Sequence, residues 1–175
     1  MSLSEIKKYF KVGWNDQKTT IIALLSNDYK LNNKDLTFLQ DYKDIKTLHI
    51  ENSNIKSLKG IENLKKLDKL SIKKSKLTNL KGIENLENLY SLRVDECNLQ
   101  TISGVEYLNY LRLLSIKNNN IVNIFPILKC KNLAFIYCEN NKNLKKYSEL
   151  RYVDLIKKEL IIEYRKSKIK NLNFF

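Results

Sequence analysis

The sequence predicts an α/β solenoid. We expect a curved parallel β-sheet of about five or six short strands on the concave face, a 3₁₀ or irregular convex side, and a cap at both ends. The first reason is that five similar stretches start at a constant interval, at Ile45, Leu67, Leu89, Leu111 and Leu133. The second is that the apolar spacing within each stretch changes from two residues to three, as it does where a strand is followed by a tightly wound return leg.

Each stretch opens with a strand. When every repeat is numbered from 1, apolar residues occupy positions 4 and 6, as Leu48 and Ile50 do in the first repeat. A period of two indicates a strand with one buried face. Position 9 holds Ser, Cys or Asn, and small polar side chains of this kind bond the backbone of turns.

A return leg follows each strand. Its apolar residues step by three, and in the first repeat they are Ile55, Leu58, Ile61, Leu64 and then Leu67. This spacing places one residue per turn inside a 3₁₀-like leg. Position 16 is Gly in three repeats, which lets the leg bend, and Pro126 in the fourth. One repeat cannot bury its own apolar face, so the repeats must stack.

The pattern L-x-x-L-x-L-x-x-[N/S/C]-x-I-x-x-L-x-G-I-x-x-L-x-x resembles the leucine-rich repeat. Its length and its Gly-Ile pair are similar to the internalin type of bacterial leucine-rich repeat protein, over residues 36 to about 164. The resemblance implies one parallel strand per repeat and a concave face used for binding. We do not expect the host-receptor role of surface internalins, because the sequence shows no signal peptide, immunoglobulin-like tail or wall-sorting motif.

We expect a single domain over residues 1–175. Its three parts are an N-terminal cap over 1–44, the repeats over 45–141, and a last repeat with the C-terminal cap over 142–175. The N-terminal cap is predicted to contain a helix within 16–26, because Asn15 or Asp16 could begin it.

The C-terminal end has two interpretations. In the first, a sixth strand lies at about 160–164, with Leu160 and Ile162 in the roles of positions 4 and 6, and a short tail covers the last face. In the second, one amphipathic helix spans 148–166.

Composition limits the class of protein. The net charge is +13, yet only four of the 32 basic residues are arginine, the side chain that base-reading surfaces favour. A solvated, lysine-rich surface of a bacterial protein from a low-G+C genome therefore explains the charge better than a nucleic-acid footprint. We expect a cytoplasmic protein without a membrane span, because the early apolar run Ile21–Leu25 is shorter than a signal-peptide core. Secretion without a cleavable signal stays open.

The cysteines and the single histidine argue against catalysis. Cys97, Cys130 and Cys138 fall at inward repeat positions, so we expect buried, reduced thiols rather than disulfides or metal ligands. His49 is the chain's only histidine, and the sequence contains no C-x-x-C, H-E-x-x-H or phosphate-loop motif. We therefore expect no enzyme, no metal and no cofactor.

Outward strand residues form the candidate site. Equal positions of successive repeats form ladders, and those at positions 3 and 5 grade from polar to apolar along the chain. The cluster with the composition of a protein-binding hot spot is Tyr90, Arg93, Leu113, Lys117, Phe135 and Tyr137. An alternative is that the C-terminal segment folds over this cluster.

The position 7 ladder alternates in sign. Its members are Glu51, Lys73, Asp95, Lys117 and Glu139. Opposite charges on adjacent strands are expected to pair, which argues against a phosphate-binding groove.

The sequence thus favours a non-enzymatic module that binds an unidentified partner protein through its concave face. The alternative is electrostatic nucleic-acid binding by a basic patch on the loops, formed by Lys56, Lys59, Lys73, Lys74, Lys76 and Lys81. The oligomeric state is not predicted.

Overall fold

The computed structural model describes residues 35–144 in full and the backbone of 11–14, 20–25 and 161–162. These residues form one sheet in which the strands lie in chain order. The strands are β1 (Lys11–Trp14), β2 (Thr20–Leu25), β3 (Ile45–Glu51), β4 (Lys69–Lys73), β5 (Ser91–Asp95), β6 (Leu113–Ser115), β7 (Phe135–Tyr137) and β8 (Ile161–Ile162). All neighbours pair in parallel except β1 and β2, which are antiparallel. The predicted solenoid is confirmed.

The return legs contain short 3₁₀ helices, as the spacing of three predicts. They span Thr37–Leu39, Ile61–Asn63, Ile83–Asn85, Val105–Tyr107 and Phe125–Lys129. The residues at the inward positions are buried and form one continuous core. Leu48, Ile61 and Leu92, for example, are each 0% exposed. The core therefore runs along the solenoid axis, and the outward residues of the strands and of the return legs face away from it.

The repeat length changes at both ends of the sheet. From β3 to β7 the paired residues are 22 apart, as Thr47 and Lys69 are. Ile21 instead pairs with Thr47, and Phe135 pairs with Ile161, so the partners in both of these pairs are 26 apart. The two flanking turns are thus longer than the four between them.

The N-terminal helix prediction is wrong for residues 20–25. These residues form β2, which adds to β3 in parallel, and β1 then pairs with β2. The reason is that the first repeat strand would otherwise leave its backbone donors and acceptors unpaired at the sheet edge. The β-branched residues Thr20, Ile21 and Ile22 also suit a strand. The remaining residues of the predicted helix lie outside the described part of the chain.

The sixth repeat strand exists, as β8, but its register differs from the prediction. Ile162 lies beside Ile136, which is at position 4, so Ile162 is not at position 6. The cause is the longer fifth repeat, which sequence spacing alone did not reveal. The alternative interpretation, one helix over 148–166, is wrong for residues 161–162, which form β8. Its other residues, 148–160 and 163–166, and the predicted tail lie outside the described residues.

Each of the five repeat strands leaves the sheet through a residue with positive φ at position 8. These residues are Asn52, Lys74, Glu96, Asn118 and Asn140, with φ between 52° and 60°. Asparagine tolerates this left-handed conformation better than most residues. Its presence in three of the five repeats was a sequence signal for the turn.

Position 9 forms a buried polar ladder under these turns. Asn119 donates from Nδ2 to the carbonyl oxygens of Val94 (2.7 Å) and Lys117 (3.0 Å). Its Oδ1 accepts from the backbone N–H of Leu99 at 3.0 Å. One repeat further on, Asn141 makes the equivalent bonds to the Ile121 N–H and the Ile116 carbonyl oxygen, while its third bond goes to the carbonyl oxygen of Cys138. These amides bond turn backbone, as predicted for position 9, and they also tie neighbouring repeats together, which the sequence did not predict.

A glycine and a glutamate shape the return legs of the first three repeats. The position 16 glycines have φ of 100° to 107°. Each donates its N–H to Oε2 of the glutamate two residues later, at 2.6 Å in the Gly60–Glu62 pair and at 2.7 Å in the other two. In the fourth repeat Pro126 has no N–H to donate, and Leu128 stands at the glutamate's position. This pairing was not predicted from the sequence, although its signal, G-[IV]-E, recurs three times.

All three cysteines are free and buried, as predicted. Burial raises the pKa of Cys138 to about 12, with the neighbouring Glu139 carboxylate acting in the same direction. The pKa of Cys97 is also raised, chiefly by burial. Both thiols are therefore protonated at neutral pH, which suits a packing role and not a nucleophilic one.

The raised pKa of Cys138 predicts a loss of stability in alkali. Below about pH 9 the thiol is neutral in both states, but between pH 9 and about 12 only the unfolded state loses the proton. We expect Cys138→Val, which installs the residue found at the equivalent Val94, to gain up to about 1.4 kcal/mol per pH unit over the native chain in this window. Urea unfolding at several pH values measures it. Ile116→Val, also at position 6, is the control and should show a pH-independent difference; a pH-independent difference for Cys138→Val would refute the assignment.

Candidate binding surface

The sheet register brings the predicted concave cluster together. Leu113 on β6 lies directly beside Phe135 on β7, and Ser115 lies beside Tyr137. On the other side of β6, Ser115 pairs with Arg93 on β5. Because neighbouring parallel strands lie about 4.8 Å apart, these side chains occupy one continuous patch.

Members of the cluster differ in exposure. Arg93 is exposed and Tyr90 is 44% exposed, whereas Leu113, Phe135 and Tyr137 are half-buried. Tyr90 precedes β5, and its carbonyl oxygen accepts from Leu113 N at 3.2 Å. That bond fixes the tyrosine at the side of the patch where the strands begin.

Lys117 joins the cluster to its charged border. Its Nζ lies 4.7 Å from the centroid of the Tyr137 ring, a cation–π contact. The same Nζ lies 3.6 Å from Oε1 of Glu139 on the next repeat. Lys117 therefore lies between the Tyr137 ring and the Glu139 carboxylate and contacts both.

The position 7 ladder pairs in part as predicted. The Lys117–Glu139 pair crosses between repeats as expected. Lys73 differs, since its Nζ lies 3.3 Å from Oε1 of Glu96, which is at position 8. Asp95 uses its carboxylate differently, because Oδ1 accepts from Ser115 Oγ at 2.7 Å and from Lys117 N at 2.8 Å. These bonds account for Ser115 being 0% exposed at an outward position.

The lysines of the alternative basic patch are spread over two sides of the solenoid. Lys73 ends β4 on the concave side and is half-buried, while the other five are exposed. Lys59 and Lys81 occupy position 15 of adjacent return legs, where the carboxylates of Glu62 and Glu84 bond glycine N–H groups. The structure therefore interleaves these lysines with carboxylates on the convex side.

Two features bear on catalysis. His49 is half-buried, with Nε2 at 3.7 Å from Oε2 of Glu51. An open depression of about 640 Å³ lies between the second and third return legs, and its lining includes Glu84, Glu106 and Tyr107. Both of these carboxylates already accept glycine N–H groups. Among the residues that the structure describes, no group of three or more His, Cys, Asp or Glu side chains could hold a metal ion.

The described helices are all short. Within the part of the chain that the structure covers, none is long and apolar enough to cross a bilayer.

Comparisons with known proteins agree with the fold. Residues 33–112 match the family described as the leucine-rich repeat domain of the endo-β-N-acetylglucosaminidase EndoS. No curated protein matches the sequence significantly. The family match covers just under half of the chain, and it agrees with the stacked 22-residue repeats, so the chain has a leucine-rich repeat fold. This fold points to a protein–protein interaction module.

Solved structures of several bacterial and plant proteins are similar in fold to this chain. A Leptospira interrogans leucine-rich repeat protein is similar with a TM-score of 0.64 and 22% identity, over 74% of this chain and 33% of that one. An internalin of Listeria monocytogenes, InlF, gives 0.57 and 23%, over 62% and 36%. The ectodomain of the receptor kinase SOBIR1 from Arabidopsis thaliana gives 0.57 and 18%, over 77% and 79%. The chain thus spans about a third of the length of the first two.

Proposed function

We propose that this protein is a non-enzymatic interaction module that binds a partner protein through the C-terminal half of its concave face. The observation that carries the proposal is the continuous patch of Leu113, Phe135 and Tyr137 beside exposed Arg93. The fold does not require apolar residues there, because positions 3 and 5 are Thr47 and His49 in the first repeat and Lys69 and Ser71 in the second. Aromatic and arginine side chains dominate the energy of many protein interfaces.

The chemistry of the patch defines the partner surface. Arg93 and the amphipathic ring of Tyr90 favour carboxylates and backbone oxygens, while Leu113 and Phe135 favour an apolar or aromatic side chain. We therefore propose a partly acidic partner surface with one apolar element. Three free, buried cysteines support action in a reducing compartment such as the cytoplasm.

Truncation of the patch tests the proposal. The variant Phe135→Ala/Tyr137→Ala removes two neighbouring rings, and we expect it to lose a partner that the native chain captures from a nuclease-treated lysate of the source organism. Hot-spot truncations of this kind weaken binding by about 2 kcal/mol or more, roughly thirtyfold. Mass spectrometry of the captured proteins makes the measurement.

The matched control is Thr47→Ala/His49→Ala, which changes the same two ladder positions in the first repeat. It should retain the partner, and circular dichroism should show both variants folded. A partner that survives the Phe135→Ala/Tyr137→Ala change would sink the site assignment. Proteins that are captured only before nuclease treatment would favour the alternative, nucleic-acid binding by the basic patch.

A further inference from the structure

The convex side changes character in the fourth repeat. Positions 12, 15 and 18 of the return leg are Lys56, Lys59 and Glu62 in the first repeat, Thr78, Lys81 and Glu84 in the second, and Gln100, Ser103 and Glu106 in the third. In the fourth repeat they are Val122, Phe125 and Leu128. Three polar positions have become apolar together, and we name these three residues the convex apolar patch.

Two residues of the convex apolar patch are open to solvent, and the third, Leu128, also packs against the core. Val122 is 45% exposed, Phe125 is 50% exposed and Leu128 is half-buried. Their spacing of three places them on one side of the leg, which contains the 3₁₀ helix Phe125–Lys129. Contiguous exposed apolar patches that are rimmed by polar residues mark interaction sites, whereas single exposed apolar residues do not.

The fold does not account for the patch. In the first three repeats, the glutamate at position 18 accepts a hydrogen bond from a glycine N–H. Pro126 has no N–H to donate, so a glutamate at position 128 would lack this partner, which explains why Leu128 is tolerated there. It does not explain Val122 and Phe125. The same two positions are Gln100 and Ser103 one repeat earlier, in a leg of the same length and core.

The charges around the patch indicate what would cover it. Residues 107–138 contain no Asp or Glu and four basic residues, whereas the preceding repeat alone carries Asp95, Glu96 and Glu106. Lys129 and Lys131 are exposed on the same return leg as the patch. A second copy of this chain would bring like charges together, which is unfavourable.

We propose that the convex apolar patch docks an acidic amphipathic segment of a partner protein, with apolar side chains against Val122, Phe125 and Leu128 and carboxylates toward Lys129 and Lys131. This second surface lies on the opposite side of the solenoid from the concave patch and does not depend on it. Amphipathic helices bind partner surfaces through apolar anchors that recur every three or four residues along one face.

Two synthetic peptides test the proposal. Each spans roughly four helical turns with Leu and Phe on one face; the first carries Glu on the other face and the second carries Lys. Binding is followed by two-dimensional amide NMR of the labelled full chain. We expect the acidic peptide to bind at least about tenfold more tightly than the basic one, with shifts centred on residues 120–131.

The matched variant is Val122→Gln/Phe125→Ser, which restores the residues of the preceding repeat and touches only exposed side chains. It should stay folded and lose at least about tenfold in affinity for the acidic peptide. The control Tyr110→Asn removes an exposed ring elsewhere and should bind as the native chain does. Equal binding of both peptides, unchanged binding by the variant, shifts centred on the concave patch, or a dimer in sedimentation that Val122→Gln/Phe125→Ser abolishes, would each overturn the proposal.

Discussion

Gly60→Ala is expected to destabilise the protein by about 2–5 kcal/mol. Gly60 has φ of 100°, a conformation that costs an L-residue about 1–2 kcal/mol. A Cβ at this position would also lie 2.5 Å from the carbonyl carbon and oxygen of Leu36 and from Cα of Thr37. These are backbone atoms and cannot move aside by changing a rotamer, so an overpacking term of about 1–3 kcal/mol adds to the strain.

Gly82→Ala separates the two contributions. Gly82 has nearly the same φ, 105°, but its Cβ would meet ordinary contacts at 3.7 Å. We expect it to lose only the strain term, about 1–2 kcal/mol. Urea unfolding followed by circular dichroism measures both variants. Equal losses of stability would show that the close approach between Gly60 and Leu36 contributes nothing. The packing of these two backbones would then not depend on the missing side chain of Gly60.

The close approach between the backbones of Gly60 and Leu36 also affects the N-terminal end of the solenoid. Leu36 is 0% exposed and donates its N–H to the Lys59 carbonyl oxygen at 2.8 Å. The leg that precedes β3 is thus packed on the first repeat by its backbone. Displacing it would expose the end of the core, so Gly60→Ala should also raise amide hydrogen exchange in residues 36–45 more than Gly82→Ala does.

Asn119→Ala is expected to cost about 3–4 kcal/mol. The side chain is 4% exposed and makes three hydrogen bonds to the backbone of its own and the preceding repeat. Its removal leaves the Val94 and Lys117 carbonyls and the Leu99 N–H without that partner, and an orphaned buried group costs about 1–3 kcal/mol. Denaturant unfolding measures the loss.

Ser53→Ala is the matched control on the same ladder. Ser53 is 7% exposed, and among the described residues its Oγ finds no hydrogen-bond partner. Removing this hydroxyl should leave stability unchanged within about 0.5 kcal/mol or raise it. A loss at Ser53 as large as that at Asn119 would mean that the packing of the side chain, and not its hydrogen bonding to the backbone, is what position 9 supplies.

The two proposed surfaces both involve the acid-free stretch 107–138. Leu113, Lys117 and Phe135 contribute to the concave patch, and Phe125 lies on the convex side of the same repeat as Leu113. One turn of the solenoid therefore presents apolar side chains to both faces with no carboxylate of its own. Separate variants can address the two faces, because the strand and the return leg lie on opposite sides of a buried core.

The repeat architecture follows from local sequence spacing. The apolar pattern at positions 4 and 6 and at the later steps of three predicts the core almost residue by residue. Leu48, Ile50 and Ile55, for example, are each 0% exposed, as this pattern requires. The reason is that each repeat must bury one apolar face against its neighbours, so the spacing of apolar residues within a repeat is sufficient to predict the core. The composition of the concave cluster was visible for the same reason, since outward positions follow from inward ones.

Long-range packing governs what happens where the regular repeat stops. Residues 20–25 form a strand because the open edge of β3 offers unpaired backbone groups, a requirement that local sequence does not express. The register of β8 likewise depends on a fifth repeat that is longer than the other four, which spacing by three cannot distinguish from a repeat of the usual length. The partners of Asp95 and Lys117 were also decided by the tertiary structure. The ladder places several neighbours near each side chain, and sequence spacing does not tell which of them it contacts.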